Sequence, residues 1–154
     1  MSWELIFEKV WQESLATLYM VGVSTLFTVL LGLPLGILLV ATDERGVHPR
    51  PVLNRILDVV VNVGRSIPFI ILMILIIPFT RLIAGTSIGS SAAIVPLTVA
   101  AIPFFARVAE NSLREVDRGL IEAAQSIGCS KKEIITKVLI PEALPSLILG
   151  VALT

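Results

Sequence analysis

The chain has 154 residues, of which 55% are hydrophobic and 16% are charged, and its mean hydropathy is +0.92. A soluble domain cannot bury that much apolar surface, so the composition indicates an integral membrane protein. The formal net charge is zero, with 12 basic and 12 acidic residues, and this balance argues against general nucleic-acid binding, which requires a basic surface.

Four apolar segments predict membrane-spanning helices within a single transmembrane domain over residues 1–154. They cover about residues 15–41, 57–79 and 91–109, and a fourth begins near Leu144. Each of the first three is about long enough to cross the roughly 30 Å hydrocarbon core of a bilayer. The sequence ends inside the fourth segment, so we expect it to lack the C-terminal spans of a longer protein.

Prolines and polar residues interrupt these spans. The first span is longer than a bilayer requires, so we expect a tilt or a kink near Pro34. Asn62, Arg65 and Pro68 lie in the second span, and Pro103 lies in the third. Such prolines form either kinks buried against neighbouring helices or broken helices around a transport pathway. Arg65 either extends to the cytoplasmic surface or lines a water-filled cavity. The candidates for the bundle interior or the pathway are therefore Asn62, Arg65, Pro68 and Pro103.

Lysine and arginine predict the orientation of the chain. Residues 42–55 contain three of them and residues 107–137 contain six, whereas the N-terminal flank contains only Lys9 and the turn after the second span only Arg81. By the positive-inside rule, the two basic segments face the cytoplasm and the N-terminus lies outside.

The charged stretch over residues 110–141 predicts two short cytoplasmic helices joined by a tight turn. Asp117 is a suitable N-cap for a helix over residues 118–127. Gly128 stands where a helix ends in a left-handed residue. Within this first helix, Ala123 and Ala124 are small enough for another surface to approach closely.

The second of these helices begins with a capping box. Ser130 and Glu133 have the spacing of that motif, and Ile134 and Ile135 start an apolar face. We expect Pro141, followed by Pro145, to stop this helix and to direct the chain back into the membrane.

Three interpretations of this helix pair remain open on the residues alone. It forms an amphipathic pair on the membrane surface, a DNA-binding helix-turn-helix, or a docking element for a soluble partner. The DNA interpretation is the weakest, because the second helix leads directly into the next span and leaves no room for entry into a groove.

A serine hydrolase is a further alternative. Residues 85–89, GTSIG, match the GxSxG pattern with Ser87 as nucleophile. That nucleophile requires a base. The only histidine, His48, lies in the cytoplasmic loop, on the opposite side of the membrane by the topology above, so we do not favour this alternative. The single cysteine and single histidine also argue against a metal site.

The helix pair resembles the EAA signature of the permeases of binding-protein-dependent ABC importers. The match consists of Glu122-Ala123-Ala124, Gly128 after three further residues, and Val138, Ile140 and Pro141 where the family has Ile, Leu and Pro. The resemblance implies an all-α transmembrane bundle of the type I ABC importer, with five spans in the whole protein and about three and a half here. It implies that the loop is a coupling helix bound to an ATPase through the following residues: Glu122, Ala123, Ala124, Gly128, Ser130, Ile134, Ile135 and Pro141.

Further segments resemble the permeases of methionine importers in particular, among them AAIVPLTVAAIPFFARVAEN and KVLIPEALP. This resemblance implies a permease homodimer in the lipid of the bacterial inner membrane, a cytoplasmic ABC ATPase dimer and an extracytoplasmic methionine-binding lipoprotein. It implies no catalysis, no nucleic acid and no cofactor in this chain, since ATP and Mg are bound by the ATPase. A permease for another amino acid is the main alternative.

Overall fold

The computed structural model describes residues 3–154, which form helices and connecting turns without a β-strand. Three helices are long and apolar enough to cross a membrane, or four if α2 and α3 form one bent span. The fold is therefore the all-α membrane bundle that the sequence predicts. Its helices are α1 (Trp3–Thr42), α2 (Pro51–Ser66), α3 (Phe69–Leu75), α4 (Ile77–Ala84), α5 (Ser90–Arg114), α6 (Arg118–Ser126) and α7 (Lys131–Ala152).

Helix α1 packs closely against α5. It is longer than the predicted span of residues 15–41 and runs without interruption through Pro34. A Cβ atom on Gly36 would stand 2.8 Å from both the Ala106 carbonyl oxygen and the Ala109 Cβ. Gly32, one turn earlier, also lies against α5. The two glycines thus allow the two helix backbones to approach each other, as small residues four apart do in membrane helices.

The second predicted span, residues 57–79, is not one helix. The chain bends by 103° between α2 and α3. Ile67 ends α2 in an extended conformation, with φ −76° and ψ 122°, because the residue before a proline disfavours helical geometry. Pro68 then precedes the first residue of α3. Hydropathy alone does not reveal this break, because every residue of α3 is apolar.

Helix α5 is the common partner of the bundle and contacts α1, α2, α3, α4 and α7. It extends to Arg114, five residues beyond the predicted end at Ala109, so the first residues of the predicted cytoplasmic stretch belong to this span. Phe105, Ala106 and Ala109 are at most 1% exposed, and they form the side of α5 that faces α1 and the core.

The expected stop of the second cytoplasmic helix at Pro141 and Pro145 is wrong. Helix α7 runs on to Ala152, so the fourth span does not start anew near Leu144. Residues Ile134–Leu139 form a π-helical segment, in which the Ile140 N–H donates to the Ile135 carbonyl. Pro141 then falls in the first turn of the following α-helical segment, where a missing N–H is tolerated.

Candidate functional site

The turn between α6 and α7 has the local geometry that the sequence predicts. The Asp117 carboxylate accepts from the Gly119 N–H at 2.6 Å and caps α6. Gly128 has φ +84°, and the Gly128 and Cys129 N–H groups donate to the Gln125 and Ala124 carbonyls at 3.0 Å each. This pair of bonds is a Schellman motif, which requires the left-handed residue. The capping box of Ser130 and Glu133 is also present.

The residues proposed for ATPase contact divide into an inner and an outer set. Ala124 is 6% exposed and Ile134 1% exposed, and Ile135 packs against the same apolar cluster. Their side chains belong to the apolar cluster that includes Leu113 of α5 and do not face outwards. The outer set consists of Glu122, Ala123, Gly128, Ser130 and Pro141, which are all exposed.

The loop over residues 43–50, between α1 and α2, adjoins the helix pair, and sequence reasoning assigned it no role there. The Lys131 Nζ lies 2.7 Å from the His48 Nδ1, and Arg118 donates to the Arg45 carbonyl at 3.4 Å. The charges of Lys131, first, and of Arg50 lower the pKa of His48 below its usual range. A cavity of about 460 Å³ lies between this loop, α6 and the end of α5.

A chain of ion pairs joins three parts of the bundle beside this loop. Arg107 bonds to Asp58 of α2 and to Glu110 at 2.6 Å each. Arg114 bonds to Glu110 at 2.8 Å and to Asp43, just after α1, at 2.6 Å. Burial raises the pKa of Asp43, but the hydrogen bond and the charge of Arg114 together lower it by more. The pKa of Asp43 is therefore below its usual value. Only the spacing of Arg107, Glu110 and Arg114 on one helix face signals this network in the sequence.

The predicted pathway residues meet where α2 ends against α5. The Arg65 guanidinium lies 6.0 Å from the centre of the Phe104 ring. Asn62 accepts from Arg107 at 3.0 Å, and Pro103 packs on Gly64, where a Cβ would stand 3.1 Å from the proline ring. A cavity of about 510 Å³ is lined by both Asn62 and Arg65 at this place. Pro68, at the break itself, precedes α3.

The described residues form neither the hydrolase site nor the metal site nor the DNA-binding helix that the sequence left open. Ser87 accepts a hydrogen bond from Arg81 at 3.3 Å, whereas His48 bonds to Lys131, so the two residues of the hydrolase alternative engage different partners. Residues 3–154 contain no group of three or more His, Cys, Asp or Glu placed to hold a metal ion. The helix that a DNA-binding motif would present continues as the membrane-spanning α7, with Ile134 in the core.

The comparisons with known proteins agree with the coupling-loop signature. The chain is 49% identical over 149 residues to the "Probable D-methionine transport system permease protein MetI" of Pasteurella multocida, covering 97% of this chain and 69% of that protein. It is 49% identical over 154 residues to the "D-methionine transport system permease protein MetI" of Escherichia coli, covering 100% and 69%. A solved structure of the "MetNI methionine ABC transporter" in an inward-facing conformation is similar, with 47% identity, a TM-score of 0.95 and coverage of 99% and 70%.

The chain therefore spans about two thirds of the length of these relatives. Its match to a family description covers nearly the whole chain, from residue 11 to residue 154. The chain belongs to the binding-protein-dependent transport system inner membrane component family, whose members are permease subunits of ABC transporters.

Proposed function

We propose that the chain is part of a permease subunit that forms the membrane pathway for methionine in an ATP-driven importer. The observation that carries this proposal is the exposed set Glu122, Ala123, Gly128 and Ser130, arranged on a capped helix–turn–helix with the EAA spacing. The relatives at 49% identity are named as D-methionine permeases. Permease subunits are not enzymes, so ATP hydrolysis belongs to a separate chain.

The importer we propose contains two copies of the permease, a cytoplasmic ABC ATPase dimer and an extracytoplasmic methionine-binding lipoprotein. It lies in the bacterial inner membrane, with the N-terminus outside. ATP and Mg are bound by the ATPase, and this chain carries no cofactor. The basic residues of the two cytoplasmic segments support this orientation, and the similarity to a methionine ABC transporter supports the assembly.

We call the exposed set Glu122, Ala123, Gly128 and Ser130 the coupling surface. The motion of the ATPase passes from this surface through α6 to α5. Only three residues separate the end of α5 at Arg114 from the start of α6 at Arg118. The buried Ala124 and Ile134 fix the helix pair to the same end of the bundle. A displacement of α6 by the closing ATPase therefore moves α5, and α5 contacts most of the bundle. Rocking of the spans then alternates access to the pathway.

The break between α2 and α3 is the part of the pathway that this chain supplies. A charged side chain facing lipid is costly, yet Arg65 is exposed in the single chain and has no carboxylate partner among residues 3–154. Its position over Phe104, beside a cavity, supports a role facing water or substrate rather than lipid. Asn62, Pro68 and Pro103 position this break against α5.

The pathway assignment is tested by replacing Arg65 with methionine, which keeps the length of the side chain and removes its charge. We expect Arg65→Met to reduce uptake at least severalfold while ATPase binding is unchanged. Arg55→Met, on the exposed cytoplasmic start of the same helix, is the control and should transport normally. Equal uptake by both variants would remove Arg65 from the pathway.

The function itself is tested by uptake of labelled methionine into vesicles that contain the full-length permease, its ATPase and its binding protein. Saturable, ATP-dependent uptake that only methionine and close analogues inhibit is the expected result. Uptake of a different amino acid, with the ATPase still bound to the permease, would retain the importer and replace the substrate. No ATPase association would refute the coupling surface.

A further inference from the structure

One buried carboxylate organises the ion pairs at the cytoplasmic end of α5. Glu110 is 3% exposed. Its Oε2 accepts from Arg107 at 2.6 Å, and its Oε1 accepts from Arg114 at 2.8 and 3.0 Å. The two oxygens thus bind two different guanidinium groups, and Glu110 thereby fixes the orientation of both arginine side chains.

Each arginine also reaches a second part of the chain. The Arg107 Nη2 donates to the Asp58 carboxylate at 2.6 Å and to the Asn62 side-chain oxygen at 3.0 Å, both on α2. The Arg114 Nη1 lies 2.6 Å from the Asp43 carboxylate, immediately after α1. The planar fork of arginine permits such simultaneous contacts. The network therefore joins α5 to α1 and to α2.

Stability alone is a poor explanation for this arrangement. Removing a carboxylate from water costs about as much as its ion pairs return, and apolar packing often stabilises a core equally well. A network of rigid, directional contacts does fix the relative position of the helices that it joins. Here it lies between α6, which begins four residues after Arg114, and the broken span, since Arg65 follows Asp58 by seven residues on the same helix.

We propose that Glu110 and Arg107 are positioning residues that make α2, and with it the break before Pro68, follow α5 when the coupling helix moves. This inference rests on the proposed function. The apolar contacts between α2 and α5 include Val61 with Ala106 and Gly64 with Pro103, and neither has the direction and charge of the Arg107 link. Without the Arg107 link, α5 still moves with the ATPase, but α2 no longer follows, and ATP is hydrolysed without a matching movement of the pathway.

The test compares ATP hydrolysis with uptake in reconstituted full-length transporter. Asp58→Asn removes the charge on the α2 side of the link, and Asp58→Glu restores it with one additional methylene. Asp58 is 44% exposed, so both variants are compatible with folding. We expect Asp58→Asn to retain ATP hydrolysis and to lose roughly two- to thirtyfold in molecules imported per ATP, the range that a change in coupling free energy of about 0.5–2 kcal/mol produces. Asp58→Glu should recover most of that ratio.

Two further variants complete the design. Glu110→Gln leaves both arginines without their shared carboxylate and should lower the ratio at least as much as Asp58→Asn. Glu142→Gln removes an exposed carboxylate of α7 that bonds to no other residue among those described, and it should leave the ratio unchanged. If Glu110→Gln does not fold, the two Asp58 variants decide the question.

The outcomes separate this inference from the proposed function. A wild-type importer whose Asp58→Asn and Glu110→Gln variants keep the normal uptake per ATP overturns the positioning role and leaves the function intact. A proportional loss of hydrolysis and uptake also overturns it, because the network then serves only assembly. A wild-type complex that binds its ATPase but imports no amino acid removes both proposals.

Discussion

Gly128 joins α6 to α7 with a backbone that other residues rarely adopt, at φ +84°. A Cβ atom there would meet nothing within 4 Å, so the cost of a side chain is conformational rather than steric. We expect Gly128→Val to destabilise the permease by about 1–2 kcal/mol and to weaken its association with the ATPase. Thermal unfolding of the full-length permease in detergent and copurification with the ATPase measure the two effects.

Gly85 provides a matched control for this substitution. It ends α4 at φ +72°, also with open space around its Cβ position, but at the turn before α5. Gly85→Val should therefore lower the melting temperature by a similar amount and leave ATPase association unchanged. If both variants weaken that association equally, the effect comes from stability and not from the coupling surface.

The contact between His48 and Lys131 predicts a pH dependence of the free energy of unfolding. The pKa of His48 is lowered from 6.5 by the charges of Lys131 and Arg50, so the unfolded chain binds a proton at a higher pH than the folded one. The free energy of unfolding should therefore fall as the pH drops through about 6.5. Melting temperatures at pH 8 and pH 5.5 measure the slope.

The lysine pair at the start of α7 supplies the variants for this pH test. Lys131→Gln removes the main cause of the lowered pKa and should flatten the slope, as should His48→Gln. Lys132→Gln removes the adjacent exposed charge, which is not among the causes of the shift, and should retain the slope. An identical slope in all variants would show that other groups control it.

At the scale of the helix, the α1–α5 contact depends on the absence of a side chain at Gly36. A Cβ atom there would lie 2.8 Å from the Ala106 carbonyl oxygen and from the Ala109 Cβ, and neither can move independently of the α5 backbone. We expect Gly36→Ala to lower the free energy of unfolding by about 1–3 kcal/mol, as overpacking does. Unfolding of the full-length permease in mixed micelles measures this change.

Gly22, on the same helix, is the matched control for Gly36. It has nothing within 4 Å of its Cβ position, so Gly22→Ala should be neutral or should stabilise α1 by up to about 1 kcal/mol through helix propensity. Destabilisation by Gly22→Ala of the same size as by Gly36→Ala would contradict the close-approach interpretation of Gly36.

The sequence predicts features that depend on neighbouring residues and does not predict those that depend on residues far apart in the chain. The Asp117 cap, the left-handed Gly128 and the Ser130 capping box depend on neighbours within a few residues, and all three are confirmed. The path of α7 through Pro141 depends on a π-helical segment, which no local pattern signals. Ion pairs such as Arg107 with Asp58, 49 residues apart, require the fold itself.

The burial of Ala124 and Ile134 was beyond sequence reasoning for a similar reason. The signature names a set of positions, and the apolar face of a short helix does not reveal whether it faces a partner or its own bundle. Both residues belong to the buried apolar cluster that includes Leu113 of α5, so in the described chain this face is turned to its own bundle. For the exposed positions of the signature, contact with the ATPase stays a prediction.

At the scale of the whole molecule, α5 separates the turn around Ile88 from the turn between α6 and α7. The contacts of His48 with Lys131 and of Arg118 with Arg45 place the loop at residues 43–50 beside the coupling turn. The turn around Ile88 lies at the other end of α5, whose 25 residues span about 37 Å at roughly 1.5 Å per residue. The two turns therefore lie at opposite ends of a membrane-spanning helix, and the basic residues predict that the turn between α6 and α7 faces the cytoplasm.

Cysteine labelling of the full-length permease in intact cells tests this topology. With Cys129 and any cysteine outside these 154 residues replaced by serine, Ile88→Cys and Ser126→Cys each present one thiol at an exposed position of the described chain. We expect a membrane-impermeant maleimide to label Ile88→Cys in intact cells, and Ser126→Cys only after permeabilisation. The bound ATPase should then protect Ser126→Cys, on the last residue of α6, and leave Ile88→Cys unaffected. Labelling of Ser126→Cys in intact cells would invert the orientation, and with it the side from which the ATPase drives α5.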